Sequence, residues 1–285
     1  MNNVLEISHL TKKYNRKTVL NDISFSAELG QITGFIGVNG AGKTTTIKSI
    51  LGLVKKDAGE IRLFGQTMEE NEREIKNRIG VVFDKGYFYE NLSLNDMKNI
   101  LAPAYSNWDE NAFKRYARQF KLPLSYHISD LSKGMTMKYA IALALSHHAD
   151  FLLMDEPTSG LDPLIRNQLL GILREYMEEG NKSVFFSTHI TTDLDKIADR
   201  IVMIDNGKIV LDEYKDDLLE KYTLVKGSKE ELTPALRASF LHMEEHGFHF
   251  EGLTCDSAAV KRGLTKAVFA KPTIEDIMMA FAGRS

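Results

Sequence analysis

A glycine-rich loop between a strand and a helix places the strongest constraint on the fold of this chain. The short apolar run at residues 31–36 predicts a buried strand, and the pattern Gly37-x4-Gly42-Lys43-Thr44 follows it at once. Such glycines let backbone N–H groups turn toward a phosphate, and the N-terminus of the following helix adds partial positive charge. A glycine-rich turn without a ligand is the alternative, but the strand and helix context favours a phosphate site.

The polar groups of this loop have distinct predicted roles. Lys43 can reach the β- and γ-phosphates of a nucleotide, and the Thr44 hydroxyl can bind Mg²⁺. The loop residues predicted to bind nucleotide are Gly37, Asn39, Gly40, Ala41, Gly42, Lys43, Thr44 and Thr45. The loop by itself predicts nucleotide binding but no particular family.

Two carboxylates follow a second apolar run. Asp155 and Glu156 come directly after residues 151–154. Asp155 can hold Mg²⁺ directly or through its water, and Glu156 can orient and deprotonate an attacking water. An acidic pair at a strand end is also common in ordinary turns, so this assignment depends on the phosphate loop. His189 follows the strand at 183–186, and we expect it on the same sheet edge, where it can donate a hydrogen bond to the γ-phosphate.

Composition and charge disfavour several function classes. The 285 residues, 43% of them hydrophobic, suit one large α/β domain with an appendage. A net charge of −3 gives no overall positive field, so no nucleic-acid partner is expected. Cys255 is the only cysteine, which excludes an intramolecular disulfide. The N-terminus lacks a signal-peptide pattern, and the longest apolar run, 139–145, is far shorter than the roughly 20 residues of a membrane span. We therefore expect a cytosolic chain that reaches a membrane only through a partner.

The order of elements indicates an α/β fold with an inserted helical part. Strands at 151–154 and 183–186 flank a helix at 163–179, which is the βαβ pattern of a parallel sheet. Apolar patterns predict antiparallel strands at 4–10 and 19–29, further strands at 61–64 and 78–83, a hairpin at 201–211, and helices from residue 43 to about 53, within 92–122 and at 131–147.

We predict a main domain at residues 1–219, with a helical subdomain at about 84–150. A small C-terminal accessory region at 220–285 reads as polar and irregular until a helix capped by Thr273. Its histidines, His242, His246 and His249, are spaced so that the first two could share a metal on a helix, although Gly247 is expected to end that helix. A solvated face is the preferred interpretation.

In motif order and spacing, residues 4–215 resemble the ATP-binding cassette (ABC) family. The resemblance implies a P-loop nucleotide-binding fold with an antiparallel β-subdomain, an inserted helical subdomain and a small C-terminal extension. It implies that two subunits face head to tail with ATP between them. It also implies that Tyr14 stacks on adenine, with simple packing of this ring as the alternative.

The family's signature position, normally Leu-Ser-Gly-Gly-Gln, is Leu-Ser132-Lys133-Gly134-Met135 here. The resemblance implies that these residues contact the γ-phosphate of ATP held by the facing subunit. The alternative is that Ser132 is simply the N-cap of a core helix, which describes the same local structure. Lys133 adds a positive charge and Met135 removes a polar side chain, which we expect to change the strength of dimerisation and not its geometry. Asp162 matches the D-loop, which in the family communicates between the two sites, and it also begins a helix before proline.

The Q-loop position, usually glutamine, is Asp84. This carboxylate can still approach Mg²⁺, so the predicted metal ligands are Thr44, Asp84 and Asp155. Three aromatic residues follow within Gly86–Asn91, where family members receive a coupling helix from a membrane subunit. We expect docking of that partner here, with plain packing as the alternative.

The favoured hypothesis is an ATPase subunit that dimerises around two ATP molecules, with ATP and Mg²⁺ as cofactors. It hydrolyses ATP through Glu156 and His189 and drives a separate transmembrane permease at the cytoplasmic face of the membrane, with export as the best subtype by resemblance. The second subunit can be identical or different. The alternatives are a soluble ABC-type ATPase acting on ribosomes or DNA, and a non-hydrolysing regulator, which the intact Glu156 and His189 disfavour.

Overall fold

The computed structural model describes residues 3–84 and 87–282, and these form sheets and helices throughout. The strands are β1 Asn3–Tyr14, β2 Lys17–Glu28, β3 Ile32–Ile36, β4 Ala58–Leu63, β5 Ile79–Phe83, β6 Phe151–Asp155, β7 Ser183–Thr188, β8 Arg200–Asp205, β9 Lys208–Tyr214, β10 Thr223–Ser228, β11 His242–His246, β12 His249–Thr254 and β13 Val268–Ala270. The helices are α1 Lys43–Ile50, α2 Met68–Arg78, α3 Leu94–Leu101, α4 Glu110–Gln119, α5 Lys133–Leu145, α6 Pro163–Glu178, α7 Thr191–Ile197, α8 Lys215–Lys221, α9 Pro234–Arg237, α10 Ser257–Gly263 and α11 Ile274–Phe281. Over this part of the chain, no helix is both long enough and apolar enough to span a bilayer.

A six-stranded sheet in the order β5-β6-β7-β3-β8-β9 forms the centre of the main body. Neighbouring strands within this sheet are parallel, except for the antiparallel β8–β9 hairpin. Along β7, Val184 and Phe186 enter one core while Phe185 enters the other. Because both faces are covered, these strands are continuous apolar runs. The predicted α/β class, the βαβ unit and the hairpin are confirmed.

The two faces of this sheet are covered differently. One core lies under α3 to α7, and the other lies under α1 and the antiparallel sheet β2-β1-β4. Phe25 of β2 stacks on Phe35 of β3 and Phe185 of β7, with ring centroids 5.3 Å and 5.8 Å away. The antiparallel sheet is therefore held against the parallel sheet by aromatic packing.

Several helical segments differ from the sequence pattern, and the short helices α7 to α10 had no predicted counterpart. The helical spacing over 92–122 divides into α3 and α4, because Pro103 sits in a 3₁₀ turn after α3 and Asp109 caps a new helix. The helix α2 was not predicted. It buries only Ile75 and carries almost no apolar periodicity, but Thr67 and Glu70 form a capping box that starts it.

The C-terminal region is not irregular, and that expectation is wrong. Strands β10 to β13 form an antiparallel sheet in the order β11-β12-β10-β13. The helix on which the histidines could have shared a metal is not formed, since His242 and His246 lie on β11 and His246 pairs with His249 across a turn. Four residues along a strand span about 13 Å, so the two histidines of β11 are too far apart to share a metal as they would on a helix. The capped helix α11 is confirmed, with Thr273 and Asp276 in a capping box.

Candidate functional site

The carboxyl ends of four parallel strands meet at one edge of the central sheet. Ile36 is in register with Thr188, and Asp155 is in register with both Phe83 and Ser187. Residues that follow β3, β5, β6 and β7 are therefore neighbours, as expected for a ligand-binding edge. They enclose a cavity of about 400 Å³ lined by Val19, Asn39, Gly40, Gly42, Lys43, Thr44, Thr45, Asp84, Glu156, Ser159 and His189.

The loop after β3 has a backbone that requires glycine. Gly42 has φ of 123°, in a region that side-chain-bearing residues avoid. A Cβ at Gly37 would lie 2.3 Å from the Ile204 carbonyl oxygen, so this position has no room for a side chain. The Ala41 N–H donates to the Val38 carbonyl at 3.1 Å, which closes the loop ahead of α1.

A chain of contacts joins the loop lysine to the residue after β6. The buried Lys43 ammonium donates to the Gly37 carbonyl at 2.7 Å and lies 3.2 Å from Glu156 Oε1. The other carboxylate oxygen, Glu156 Oε2, is 2.7 Å from His189 Nδ1. Glu156 has φ of 51°, an unusual backbone conformation of the kind that concentrates at functional sites. The site thus holds one carboxylate between a lysine and a histidine.

The His189 contact fixes what its imidazole can do. A carboxylate can only accept, so Nδ1–H donates to Glu156 and Nε2 is left with a lone pair in the neutral ring. Nε2 can donate to a phosphate only when the imidazole is protonated. The predicted hydrogen bond from His189 to a γ-phosphate therefore requires a charged ring or a changed Nδ1 contact.

The side chain of Ser187 holds both acidic residues in position, a role that was not predicted from the sequence. Ser187 Oγ donates to Asp155 Oδ1 at 2.6 Å and accepts from the Glu156 N–H at 3.2 Å. Ser187 is fully buried, and Asp155 is nearly so. The only sequence signal was the position of Ser187 two residues before His189, at the end of an apolar strand.

The predicted metal ligands suit a hard cation. Thr44, Asp84 and Asp155 offer oxygen atoms near the phosphate loop, which is the donor type that Mg²⁺ prefers. Across residues 3–84 and 87–282, no three histidine, cysteine or acidic side chains group as a metal site. A Mg²⁺ ion here would accordingly complete its shell with phosphate oxygens and water, as is usual for this ion.

Tyr14 lies at the end of β1, where the residue is 45% exposed and its ring centroid is 5.2 Å from the Lys12 ammonium. It is not among the residues that line the cavity, whereas Val19 of β2 is. An apolar strand residue such as Val19 carries no sequence signal for ligand contact. The stacking role of Tyr14 remains a prediction.

Within one chain the signature residues do not line this cavity, and only Lys133 among them contacts a residue that does. Ser132 caps α5, and its Oγ accepts from the Met135 N–H at 3.3 Å. Gly134 faces Ile165 of α6, whose N-terminus is capped by Asp162 Oδ1. The Lys133 ammonium pairs with Asp84 of the same chain, a contact that the sequence did not predict.

The aromatic segment after β5 is divided between packing and exposure. Phe88 packs on Tyr139 with ring centroids 5.2 Å apart, while Tyr87 and Tyr89 are 70% and 68% exposed. Gly86, which was included in the docking hypothesis, lies outside the described residues. Tyr87 and Phe88 line an apolar cleft of about 550 Å³ shared with Leu53 and Trp108.

Two family models match the chain. One described as "ABC transporter" matches residues 20–159, which include the loop and both acidic residues. A model described as "AAA domain, putative AbiEii toxin, Type IV TA system" matches residues 126–194.

Similar proteins cover nearly the whole chain. The bacitracin transport ATP-binding protein BcrA of Bacillus licheniformis is 30% identical over 89% of this chain and 84% of its own length. The linearmycin resistance ATP-binding protein LnrL of Bacillus subtilis (strain 168) is 31% identical over 96% of this chain and 92% of its own length. A solved structure described as an ATP-binding subunit of an ABC transporter is 31% identical, with a TM-score of 0.70 over 76% of this chain and 92% of that one.

These similarities do not favour the alternative of a soluble ATPase acting on ribosomes or DNA. They agree with the P-loop, the inserted helices and the antiparallel sheet in the fold. The chain belongs to the ABC transporter family and is one of its ATP-binding, ATP-hydrolysing subunits.

Proposed function

We propose that the chain binds Mg²⁺-ATP in the 400 Å³ cavity and that Glu156 is the general base for its hydrolysis. The observation that supports this most is the contact of Glu156 with both Lys43 and His189 beside the phosphate loop. A γ-phosphate at the loop competes with Glu156 for the Lys43 ammonium. That competition leaves Glu156 Oε1 available to a water molecule.

In the proposed reaction, the water oxygen forms a bond to the γ-phosphorus while the bond from that phosphorus to the bridging oxygen breaks. The electron pair of the broken bond leaves on ADP, and the water proton passes to Glu156. Thr44 and Asp155 would hold Mg²⁺, which would supply charge neutralisation on the phosphates. The N–H groups of the loop and Lys43 bind the phosphates, and the buried Ser187 holds Asp155 in place.

We propose further that two subunits associate head to tail, so that Ser132 to Met135 of one subunit reach the ATP of the other. The dimer would power export through a separate transmembrane permease at the cytoplasmic face of the membrane. Relatives named for bacitracin transport and linearmycin resistance support this assignment. The apolar cleft beside Tyr87, with the exposed Leu53 on its rim, supplies a surface that fits a helix of the permease.

The general-base role is tested by Glu156→Gln. The amide keeps the size of the side chain but cannot take a proton, so we expect ATP turnover to fall about 100-fold or more while ATP binding persists. Turnover is measured by phosphate release, and binding by a fluorescent ATP analogue. The matched control is Glu178→Gln on the exposed face of α6, which should leave both quantities unchanged.

Equal turnover in the wild type and Glu156→Gln would remove Glu156 from this role. The transport part of the proposal is tested separately by purifying the chain from detergent-extracted membranes. We expect an integral membrane protein to co-purify in stoichiometric amount. Purification with no integral membrane protein would contradict the transport role and leave the ATPase role standing.

A further inference from the structure

One ion pair joins two positions at which this chain departs from its family's motifs. Lys133 stands in place of a signature glycine, and Asp84 stands in place of the Q-loop glutamine. The Lys133 ammonium contacts Asp84 Oδ1, with the two side chains 40% and 34% exposed. A Cβ placed on Gly160 would lie 3.2 Å from the same ammonium, so the lysine also passes over the segment just before Asp162 of the D-loop.

Each charge of this pair has a physical need for the other. Lys133 is the first residue of α5, at the positive end of the helix dipole, and the first turn of this helix has no acidic residue. Asp84 Oδ1 has almost no contact with solvent and accepts no hydrogen bond of good geometry from the described residues, so its contact with Lys133 is one of opposite charge. A buried carboxylate oxygen is costly without a cation or donor, and so is a cation at a helix N-terminus. The pair offsets both costs.

Asp84 belongs to a different site from Lys133. Its side chain lines the same cavity as Lys43, Thr44 and Glu156. Lys133 lies in the segment that the proposed dimer presents to the ATP of the facing subunit. One ion pair therefore connects a subunit's own ATP cavity to the signature segment that faces the ATP of its partner.

We propose that the Asp84–Lys133 ion pair couples the two ATP sites of the dimer, an inference that rests on the proposed nucleotide site and head-to-tail arrangement. Mg²⁺-ATP in the cavity draws the Asp84 carboxylate toward the metal or its water, since carboxylate oxygens are preferred ligands of Mg²⁺. Lys133 is then free to contact the γ-phosphate held by the facing subunit. Lys133 thus binds the partner's nucleotide directly, and Asp84 controls whether it is available to do so.

This arrangement orders the binding events. A subunit whose own cavity holds no nucleotide keeps its Lys133 paired with Asp84. Its Lys133 therefore contributes little to ATP binding in the facing subunit. Binding of the first ATP therefore improves binding of the second, which is positive cooperativity between two sites. A glutamine and a glycine at these positions have no charges with which to form the pair.

The experiment compares the ATP dependence of turnover in the wild type, Asp84→Asn, Lys133→Met and the double variant. We expect a Hill coefficient between 1 and 2 for the wild type, the range available to two sites, and about 1 for each single variant. The turnover and the Hill coefficient of the double variant should be no lower than those of the poorer single variant, because both substitutions break the same contact. Lys133→Arg keeps the charge and should restore the sigmoidal curve, which a purely structural role for the lysine would not predict.

The control is the ion pair of Lys226 and Glu251 on the C-terminal sheet, 2.8 Å long and similarly exposed. Lys226→Met should leave the Hill coefficient unchanged. A hyperbolic wild-type curve, unchanged cooperativity in the single variants, or independent losses that multiply in the double variant would overturn the inference. Failure of the wild type to bind a fluorescent ATP analogue would instead overturn the proposed function itself.

Discussion

At the scale of single residues, the acidic end of β6 depends on a hydroxyl from the neighbouring strand. Asp155 carries a charge in an almost fully buried position, and a buried charge needs a hydrogen bond or an opposite charge. Ser187 provides the hydrogen bond at 2.6 Å and also accepts from the Glu156 backbone. One small side chain thus orients the proposed metal ligand and the proposed base together.

Substitution of Ser187 by alanine should affect both stability and metal use. We expect a loss of about 1.5–3 kcal/mol in the free energy of unfolding, because Asp155 loses a hydrogen bond to a charged group. We also expect a higher Mg²⁺ concentration for half-maximal turnover. Urea unfolding and a Mg²⁺ titration of ATP turnover measure the two effects.

Ser183→Ala is the matched control for this prediction. Ser183 is equally buried at the opposite end of β7, where its Oγ accepts from the Gly30 N–H at 2.9 Å. This variant should lose stability without changing the Mg²⁺ requirement. An equal shift of the Mg²⁺ requirement in both variants would contradict a specific role for Ser187.

The loop residues could be predicted from sequence because their spacing is local, and a loop between a strand and a helix has few possible shapes. The contacts of Ser187 could not, because they depend on β7 lying beside β6 with Asp155 in register. The pairing of Lys133 with Asp84 spans 49 positions and two different motifs, so neither motif alone indicates it. Side-chain partners between elements require the strand order and the helix positions.

At the scale of elements, α5 connects the signature segment to the edge of the central sheet. Its N-terminus carries Ser132, and just beyond its C-terminus His147 lies buried against β5. The His147 ring is 3.1 Å from the Ile79 carbonyl and 3.2 Å from the Leu143 carbonyl, and it stacks on Tyr105 at 3.9 Å. This histidine therefore joins a strand, a helix and the turn after α3.

The buried position of His147 predicts a loss of stability in acid. Burial lowers the pKa of His147 below its ordinary value, because desolvation penalises the charged ring. Below about pH 6.5 the unfolded chain binds a proton that the folded chain does not, so the free energy of unfolding falls as the pH falls. The loss continues until the pH passes the lowered pKa of the folded state.

We test this with His147→Gln, which keeps a donor near Ile79 but does not titrate. The difference in unfolding free energy between pH 7.5 and pH 5.5, from urea midpoints, should be smaller in this variant than in the wild type, although the variant is less stable at pH 7.5. His249→Gln on the exposed β12 position should keep the wild-type difference. The interpretation fails if His147→Gln also keeps it.

Elements with strong apolar patterns were predictable, and those without them were not. The strands β6 and β7 are buried on both faces and read as unbroken apolar runs. By contrast, β11 is His-Met-Glu-Glu-His, whose polar residues gave no strand signal. Its pairing with β12 follows from a tight turn at Gly247, with φ of 54°, and from the small core around Phe250. Tertiary packing, and not local propensity, determines this strand.

At the scale of the whole molecule, the C-terminal sheet has a small core of its own but is tied to the main body. Val225, Phe250 and Val260 form that small core. Helix α11 does not pack in that small core, and it buries Ile274 and Ile277 in the core beneath the central sheet. The division of the chain at residue 219 remains a prediction, since the last helix packs on the first domain.

The head-to-tail dimer makes a prediction that involves two complete chains. In this arrangement each ATP site takes Glu156 from one subunit and Gly134 from the other. Gly134→Asp should fold, because its Cβ would make only an ordinary contact of 3.4 Å with Ile165 and an acidic residue suits the first turn of α5. Its negative charge should nevertheless repel the partner's γ-phosphate, so we expect a stable variant with little turnover.

Glu156→Gln and Gly134→Asp should restore each other when mixed. A dimer with one chain of each kind keeps one intact site, made from Glu156 of the Gly134→Asp chain and Gly134 of the Glu156→Gln chain. Random pairing at equal concentrations makes half of the dimers mixed, and each mixed dimer has one of its two sites intact. At saturating ATP, where both cavities hold nucleotide, turnover should therefore reach about a quarter of the wild-type value. Gly171→Asp, at an uncrowded glycine of α6, is the control and should be active alone. If the mixture shows only the summed activity of the two parents, each chain holds its own complete site and the head-to-tail arrangement is wrong.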